Sequence, residues 1–391
     1  MTRFPFAITL ASVLLAPTAA FACGGFFCSA VDPVLQSGER ILFQVGEDDD
    51  GATTVTTVVE IQFEGAASDF GWVLPIPEVI DTEDVSTAPP GLFDELEEAT
   101  AMQFVTASEG TAGLMMADEA AGCYGPPSPF WWMEEDSPSG GGSFTFDQVD
   151  VVGEAVVGPY AIEIITSEDA SQLTGWLQNN GYSIPGTAFE PIAHYVSSGS
   201  AFLGLKLQPD VPEGPIDALR FTYRAEDPSL PLHLTSVAAA QDMEVIAYVL
   251  ADERYLPAGY DDVDFDYGLV SWTDEGTDYD ERLGAAIDFA GGRAFQTEFA
   301  GAVSNLPAGE ASADLLSGGT YLTRMRTFVS PEEMTMDPVW RPAPEAPDVS
   351  NVRVIGGSET ASRGAPSAPA RATMPVALAF GLLLLSARRR A

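Results

Sequence analysis

Residues 41–63 read ILFQVGEDDDGATTVTTVVEIQF, in which two strand-like runs lie on either side of a turn. The runs ILFQV at 41–45 and TTVTTVVEIQF at 53–63 are rich in β-branched and aromatic side chains, which favour extended structure. The sequence EDDDG at 47–51 between them is typical of a turn. The stretch therefore predicts an antiparallel β-hairpin.

Two further elements follow the hairpin. The run FGWVLPIP at 70–77 predicts a third strand added to the hairpin. Pro75 and Pro77 put the end of this strand at a sheet edge or beyond it, because proline cannot donate a hydrogen bond to a neighbouring strand. Residues 92–102, LFDELEEATAM, carry apolar side chains at helical spacing with acidic residues between them, which predicts a short amphipathic helix.

The second half of the chain alternates between strand and helix patterns. Residues 146–166 predict two strands, and Ser167 is the predicted cap of a helix that stops at Gly181. A later helix is predicted around Glu281 to Ala290. Three more strand-like runs are SAFLGLKLQ at 200–208, ALRFTYRA at 218–225 and EVIAYVLA at 244–251. This order predicts an α+β fold of β-rich antiparallel sheets with a few short packing helices.

Composition excludes some classes of partner. The chain has 391 residues, of which 46% are hydrophobic, so it can bury a substantial core. Its 58 acidic and 17 basic residues give a formal net charge of −41. Such a charge repels nucleic acid and anionic lipid head groups, so we expect no nucleic-acid partner. A dispersed acidic excess is interpreted as a solvated surface rather than a dedicated cation site.

The N-terminus carries an export signal. Arg3 precedes an apolar segment that closes on Ala20-Phe21-Ala22, with small residues at both positions that specify cleavage. We expect cleavage between Ala22 and Cys23, which makes residues 1–22 a signal peptide. The protein is then exported across the inner membrane, to the cell surface, the outer membrane or the periplasm.

Three cysteines are too few for a disulfide framework. Cys23 and Cys28 enclose GGFF, whose two glycines allow the tight turn that a disulfide needs, so this pair is the predicted bridge and Cys123 is left over. Cys23 as a lipidated first residue is the competing interpretation, and the bulky Phe21 disfavours it. A metal site is weaker still, because two cysteines without a nearby third ligand cannot fill a tetrahedral shell.

The C-terminus carries a second signal. Residues 374–386 read MPVALAFGLLLLS and are followed by three arginines. These thirteen apolar positions fall short of the roughly 20 that span a bilayer. Together with the Pro/Ala/Ser tether at 341–373, the segment resembles the sorting tags of bacterial surface proteins, including the myxobacterial type, which a membrane protease recognises. A sorting tag and a simple membrane anchor both remain open, so the expected partners are the membrane and a sorting protease.

No strong catalytic motif occurs in the chain. A nucleophile elbow, a Walker loop, an HExxH sequence and a dinucleotide fingerprint are all missing. His194 and His233, the two histidines, lie in apolar runs, where a structural imidazole is the usual case. No catalytic residue is predicted. Carboxylate pairs are so numerous that a carboxylate-dependent hydrolase of surface polymers has no specific support.

Calcium is the metal that the sequence favours most. Two acidic segments, DDVDFDYG at 261–268 and DEGTDYDE at 274–281, place hard oxygen ligands close together, although neither fits an EF-hand. A strand with one wet face would show the same alternation. The candidate ligands are Asp262, Asp264, Asp266, Asp274, Asp278 and Asp280.

Several separated phrases carry a resemblance to one protein family. They are CGGFFC at 23–28, ER at 39–40, FGWVLPIP, LTGWLQNNGYSIP at 173–185, PLHLTSVAAAQDMEVIAYVL at 231–250 and TRMRTFVSPEEMTMDPVW at 323–340. In these phrases the chain resembles the domain-of-unknown-function 2330 family of bacterial exported proteins, over about 23–340. The resemblance implies export and a common architecture, and no activity. Relatives often carry several cysteines around the position of Cys123, where this chain has one.

The sequence therefore predicts an exported, surface-anchored or surface-sorted protein that acts as a non-catalytic structural or binding module, with a protein or polymer partner that it does not identify. A hydrolase and a calcium-stabilised adhesion domain are the alternatives, and no cofactor is expected beyond the calcium considered above. The predicted parts are the signal peptide at 1–22, a β-rich part at 23–105, a Gly/Pro/aromatic insertion at 106–145, an α+β part at 146–340, the tether at 341–373 and a short apolar helix with an arginine cluster at 374–391.

Overall fold

A computed structural model of the chain describes residues 35–64, 71–106, 146–182, 184–208, 216–273, 276–307 and 309–355. The strands are β1 (Leu35–Glu47), β2 (Thr53–Glu64), β3 (Gly71–Ile76), β4 (Val85–Thr87), β5 (Gln103–Thr106), β6 (Val149–Val157), β7 (Tyr160–Ser167), β8 (Ala201–Leu207), β9 (Leu219–Arg224), β10 (Ala239–Ala251), β11 (Tyr255–Ala258), β12 (Asp261–Asp262), β13 (Trp272–Thr273), β14 (Gly276–Thr277), β15 (Ala294–Ala302), β16 (Tyr321–Val329), β17 (Val339–Pro342) and β18 (Val352–Ile355). The helices are α1 (Leu92–Thr100), α2 (Ala170–Asn179), α3 (Phe189–Ser198), α4 (Leu232–Thr235), α5 (Tyr279–Phe289) and α6 (Ala313–Leu316).

Two sheets form the body of the fold. An eight-stranded sheet has the order β12-β15-β16-β10-β1-β2-β9-β4, and a four-stranded sheet has the order β3-β8-β7-β6. Three further strand pairs are β11 with β17, β13 with β14, and β18 with β5. Most neighbours in the two large sheets are antiparallel, and the main exception is the parallel pair β1 and β10. The predicted β-rich α+β class is confirmed.

The predicted hairpin is confirmed. β1 and β2 pair antiparallel, with Ile41 opposite Val59. The acidic turn between them is held by Asp48, whose Oδ1 accepts hydrogen bonds from the backbone N–H of Asp50 and of Ala52, each at 2.9 Å. Gly51 has φ 77°, a conformation that glycine adopts without strain. The Asp48 carboxylate therefore bonds to the backbone of the turn, and its other oxygen accepts from Arg224 Nε at 2.7 Å.

The prediction that residues 70–77 add a third strand to this hairpin is wrong. β3 pairs with β8 in the four-stranded sheet. Both edges of the hairpin are already occupied, since β10 pairs with β1 and β9 pairs with β2. The expected position at a sheet edge is confirmed, because β3 is the terminal strand of its sheet. Pro75 is tolerated in this strand because an edge strand has one side without a ladder partner.

The predicted helices form, with one difference at a cap. In α1, Leu92, Phe93 and Leu96 are buried. The N-cap of α2 is Asp169 rather than Ser167: its carboxylate accepts from the N–H groups of the second and third helical residues at 2.8 and 2.9 Å. Ser167 lies two residues before this position and accepts instead from the N–H of Asp169.

Side chains on alternate strand positions divide the interior into layers. Odd-numbered residues of β1 such as Ile41 and Phe43 share a core with Leu203 of β8, so the two sheets pack face to face. Leu42, from the opposite face of β1, packs with α1 and α6. The outer face of the four-stranded sheet packs with α2 and α3. The order of layers is therefore helices, sheet, sheet, helices.

Several predicted features lie outside the described residues: the signal peptide, Cys23, Cys28, Cys123, nearly all of the 106–145 insertion and the apolar segment at 374–386. Within the described ranges, no helix is long and apolar enough to cross a membrane.

A carboxylic acid is buried between the two sheets. Glu39 lies two residues before Ile41 on the same face of β1, and its neighbours across the sheet are Val245 and Ile61. Its residue surface is 4% exposed, and its Oε2 accepts a hydrogen bond from Gln36 Nε2 at 2.9 Å. Burial raises the pKa of Glu39 to about 7, against the smaller opposing effect of that hydrogen bond.

We predict that Glu39→Gln stabilises the protein at alkaline but not at acidic pH. The unfolded chain releases the Glu39 proton near pH 4.5, whereas the folded protein keeps it up to about pH 7. The carboxyl group therefore lowers the stability of the native state as the pH rises through this interval. At pH 8 the free energy of unfolding of the variant should exceed that of the wild type by about 3 kcal/mol, and near pH 4 the two should agree.

Urea unfolding at both pH values measures the difference. Glu47→Gln is the matched control, because Glu47 lies at the exposed end of the same strand. It should leave the free energy of unfolding unchanged at either pH. A gain for Glu39→Gln that is equal at pH 4 and pH 8 would show that packing, not ionisation, causes the effect.

Candidate functional site

A pocket of about 300 Å³ opens between the two sheets where β3 ends. Ile41, Val59 and Phe221 form its wall on the eight-stranded sheet, and Leu74 and Pro75 belong to its wall on β3. Ile41 and Val59 are cross-strand partners, so their side chains emerge side by side from the same face. The alternation of side chains along β1 and β2, which places apolar residues in the core, therefore also places them in the wall of the pocket.

The polar side of the pocket centres on Asp337, in the loop between β16 and β17. The Tyr195 hydroxyl donates a hydrogen bond to this carboxylate, at 2.8 Å from Oδ2 and 3.0 Å from Oδ1. The backbone N–H of His233 donates to Oδ1 at 2.9 Å. Burial raises the pKa of Asp337, and these two hydrogen bonds oppose the rise only in part. The pocket therefore contains a carboxyl group that has lost much of its solvation.

Tyr195 connects this carboxylate to the helical layer. Tyr195 belongs to α3 and is buried, and its hydroxyl reaches the pocket. Burial, and secondarily the charge of Asp337, raises the pKa of the Tyr195 hydroxyl, which stays protonated and acts as a donor. The helix thereby holds the side chain of Asp337 in a fixed orientation.

The two histidines of the chain meet beside Asp337. The ring centroids of His194, in α3, and His233, in α4, are 5.2 Å apart. α3 and α4 pack together because both contribute to one core cluster, Ile192 from α3 and Leu234 from α4 among them. His194 is exposed and lines the pocket, and His233 is half-buried. The sequence, which indicated two separate structural imidazoles, contained no sign of this convergence.

Two of the three serine hydroxyl groups that line the pocket donate to backbone carbonyl groups, and the third, that of Ser200, lies 3.2 Å from Ser198 Oγ. Ser198 Oγ donates to the carbonyl oxygen of Tyr195 at 2.9 Å, and Ser229 Oγ donates to that of Pro338 at 3.1 Å. Nucleophilic catalysis needs a hydroxyl that gives its proton to a base, and these two give theirs to carbonyl groups. The arrangement suits recognition of a ligand.

The carboxylates predicted to bind calcium are engaged with other groups. Asp262 Oδ1 accepts from Thr297 Oγ1 at 2.9 Å, and Asp266 Oδ1 accepts from the N–H of Gly268 at 3.0 Å. Asp278 forms an ion pair with Arg282 at 2.7 Å, and Asp280 forms one with Arg326 at 2.8 Å, while Asp264 is exposed and Asp274 lies outside the described residues.

These carboxylates do not converge on a common point. Across the described ranges, no group of three or more His, Cys, Asp or Glu side chains is placed to hold a metal ion. Each of the described candidate side chains instead bonds to a backbone or hydroxyl group, pairs with an arginine or is exposed. The calcium-stabilised adhesion domain gains no support from the structure.

The buried carboxylate of Glu298 is neutralised by arginine. Glu298, with no exposed surface, lies 2.9 Å from Arg324 and 3.7 Å from Arg326, and it accepts from the hydroxyl of Tyr279 at 2.9 Å. This network joins α5 to β15 and β16. Asp337 in the pocket differs from Glu298, because its hydrogen-bond donors, the Tyr195 hydroxyl and the His233 backbone N–H, are uncharged.

Sequence reasoning missed Asp337 altogether, because it is one of 58 acidic residues. Three of the phrases that carry the family resemblance nevertheless meet at the pocket: FGWVLPIP supplies Leu74 and Pro75, PLHLTSV supplies Pro231, and TMDPVW supplies Asp337. The scarcity of histidine was the one signal in the composition that could have drawn attention to His194 and His233.

Comparison with protein families matches residues 17–341 to the family described as an uncharacterized protein conserved in bacteria (DUF2330). No curated protein and no solved structure matches the chain. The family match ends before the tail, whose likeness to surface sorting tags stays a prediction. The match covers most of the 391 residues and confirms the resemblance seen in the separated phrases, so the chain belongs to the DUF2330 family of uncharacterized bacterial proteins.

Proposed function

We propose that this protein is an exported binding module that holds a small ligand in the pocket beside Asp337, and that it is not an enzyme. The observation that carries the proposal is the pocket itself, a cavity of about 300 Å³ with apolar walls and a few convergent polar groups. Sites for small molecules in proteins have this character, and their volumes begin at about this size.

The polar groups of the pocket favour binding over catalysis. The protons of Ser198 and Ser229 go to backbone carbonyl groups, and Asp337 is held by hydrogen bonds from Tyr195 and the backbone of His233. These contacts fix the pocket before a ligand arrives. A preformed pocket loses little conformational entropy on binding, which favours affinity.

The proposed location rests on the two ends of the sequence. The leader at 1–22 supports export across the inner membrane, and the segment at 374–391 supports retention at a membrane or recognition by a sorting protease. The cell surface, the outer membrane and the periplasm are all consistent with these signals. We infer that the pocket faces an environment outside the cytoplasm.

We predict that Ser198→Trp abolishes ligand binding to the pocket. Ser198 is exposed on α3 and lines the cavity, so an indole ring at this position occupies the entrance. A fragment library is screened by ligand-observed NMR against the wild-type protein. Compounds that bind the wild type should bind Ser198→Trp with an affinity lower by about tenfold or more, because the compound and the indole ring would overlap sterically.

Ser197→Trp is the matched control for this experiment. Ser197 is also exposed, is adjacent in α3 and donates to the carbonyl of His194 much as Ser198 donates to that of Tyr195, but it does not line the cavity. It should bind the same compounds as the wild type. Fragments that bind all three proteins equally occupy some other surface, and that result would remove the proposed function.

A second prediction concerns processing. Purified from its native host, the mature protein should begin at Cys23, contain a disulfide between Cys23 and Cys28, and lack the arginines at 388–390 if the tail is a sorting tag. N-terminal sequencing, intact mass and mass spectrometry of non-reduced peptides test the three points. A fatty-acylated Cys23 or a bond from Cys28 to Cys123 would contradict the bridge, and retained arginines would favour the membrane anchor.

A further inference from the structure

We infer that the ligand of this pocket carries an ammonium group, which forms an ion pair with Asp337. The inference rests on the proposed function and specifies the chemistry of the ligand. Its basis is the contrast between Asp337 and the shielded carboxylates Glu60 and Glu298, which have arginine partners.

Two other shielded carboxylates of the fold lie against arginine, whereas Glu39 has the amide of Gln36 as its partner. Glu298 lies 2.9 Å from Arg324, and the largely buried Glu60 lies 2.7 Å from Arg40. In the part of the chain that the structure describes, no lysine or arginine forms a salt bridge with Asp337. The charge of the neighbouring His194 and His233 side chains lowers the pKa of Asp337 less than burial raises it. A cation supplied by a ligand would offset the remaining cost of desolvation.

Asp337 also has hydrogen-bonding capacity to spare. An ionised carboxylate offers about four acceptor positions. Tyr195 and the backbone N–H of His233 use two of them, and the carboxylate lines the cavity. His233 reaches Asp337 through its backbone N–H, and the two imidazoles act on the carboxylate through their charge. An ammonium group has three N–H donors and can fill the free positions directly.

The rest of the pocket is better suited to a cation than to an anion, although the basic side chain of His194 is part of its lining. No lysine or arginine side chain is part of the lining. The lining does include three aromatic side chains, those of Tyr195, Phe221 and Tyr223. The faces of aromatic rings attract cations. The formal net charge of −41 also raises the local concentration of cations around the protein. An anionic ligand would instead place a second negative charge beside Asp337.

The volume limits the size of the ligand. At about 300 Å³ the cavity is at the small end of ligand sites, so the group attached to the ammonium is short. Ile41, Val59 and Leu74 provide apolar contacts for it. A primary amine with one ring or a short aliphatic chain therefore fits both the charge and the space.

Three probes of similar shape test the charge requirement on the mature full-length protein: phenethylamine, 2-phenylethanol and 3-phenylpropanoate. Isothermal titration calorimetry at neutral pH measures their affinities. We expect the amine to bind at least about tenfold more tightly than the alcohol, which is the order expected for a hydrogen bond to a charged partner. The propanoate should bind more weakly than the alcohol.

Asp337→Asn should lower the affinity for phenethylamine by about tenfold or more and that for 2-phenylethanol by a smaller factor. The amide is isosteric with the carboxylate and can still accept one hydrogen bond. Asp314→Asn is the control, because Asp314 is exposed on α6, which packs on the outer face of the eight-stranded sheet. It should bind all three probes as the wild type does.

The outcomes separate the two proposals. Equal affinity for the amine and the alcohol, or a preference for the propanoate, would overturn the ammonium inference and leave a ligand pocket in place. Absence of binding by all three probes, together with no fragment sensitive to Ser198→Trp, would overturn both. The preference of the wild-type protein for amine over alcohol decides the inference even if Asp337→Asn fails to fold.

Discussion

Strand β1 lies at the centre of the eight-stranded sheet, antiparallel to β2 and parallel to β10. An antiparallel pair can be closed by a short turn, but a parallel pair needs a long crossover. Here the chain between β2 and β10 forms the four-stranded sheet, α2 and α3 before it returns. The long connection that the parallel pair β1 and β10 needs therefore contains the second sheet. The facing surfaces of the two sheets form one core.

The pocket is a consequence of how this sandwich ends. β3 is an edge strand, and beyond it the inner face of the eight-stranded sheet is covered by α3 and the loop that carries Asp337. Trp340 anchors that loop, since its ring is fully buried, 5.1 Å from Phe43 and 5.7 Å from Phe295. The hydroxyl of Tyr260 adds a hydrogen bond to the carbonyl of Met336 at 2.7 Å. Core packing thus fixes the position of the polar group.

A chain with 58 acidic and 17 basic residues has few cations to distribute. Arginine is placed where carboxylates are shielded, as with Arg324 and Glu298. Glu39 has no such partner, and burial raises its pKa to about 7, so it is neutral over much of the acidic range. Asp337 is the carboxylate on which the proposed function rests, because it lines the cavity.

Local patterns in the sequence were enough to predict the β1–β2 hairpin, the helices α1, α2 and α5 and the α+β class. These depend on the alternation of apolar side chains over a few residues, which the chain carries in order. Tertiary structure alone decided that β3 joins the other sheet, and that His194, His233 and Asp337 meet at one pocket. These residues are separated by about 40 to 140 positions and come together through sheet pairing and core packing. Long-range pairing and packing leave no periodic pattern in the sequence around His194, His233 or Asp337.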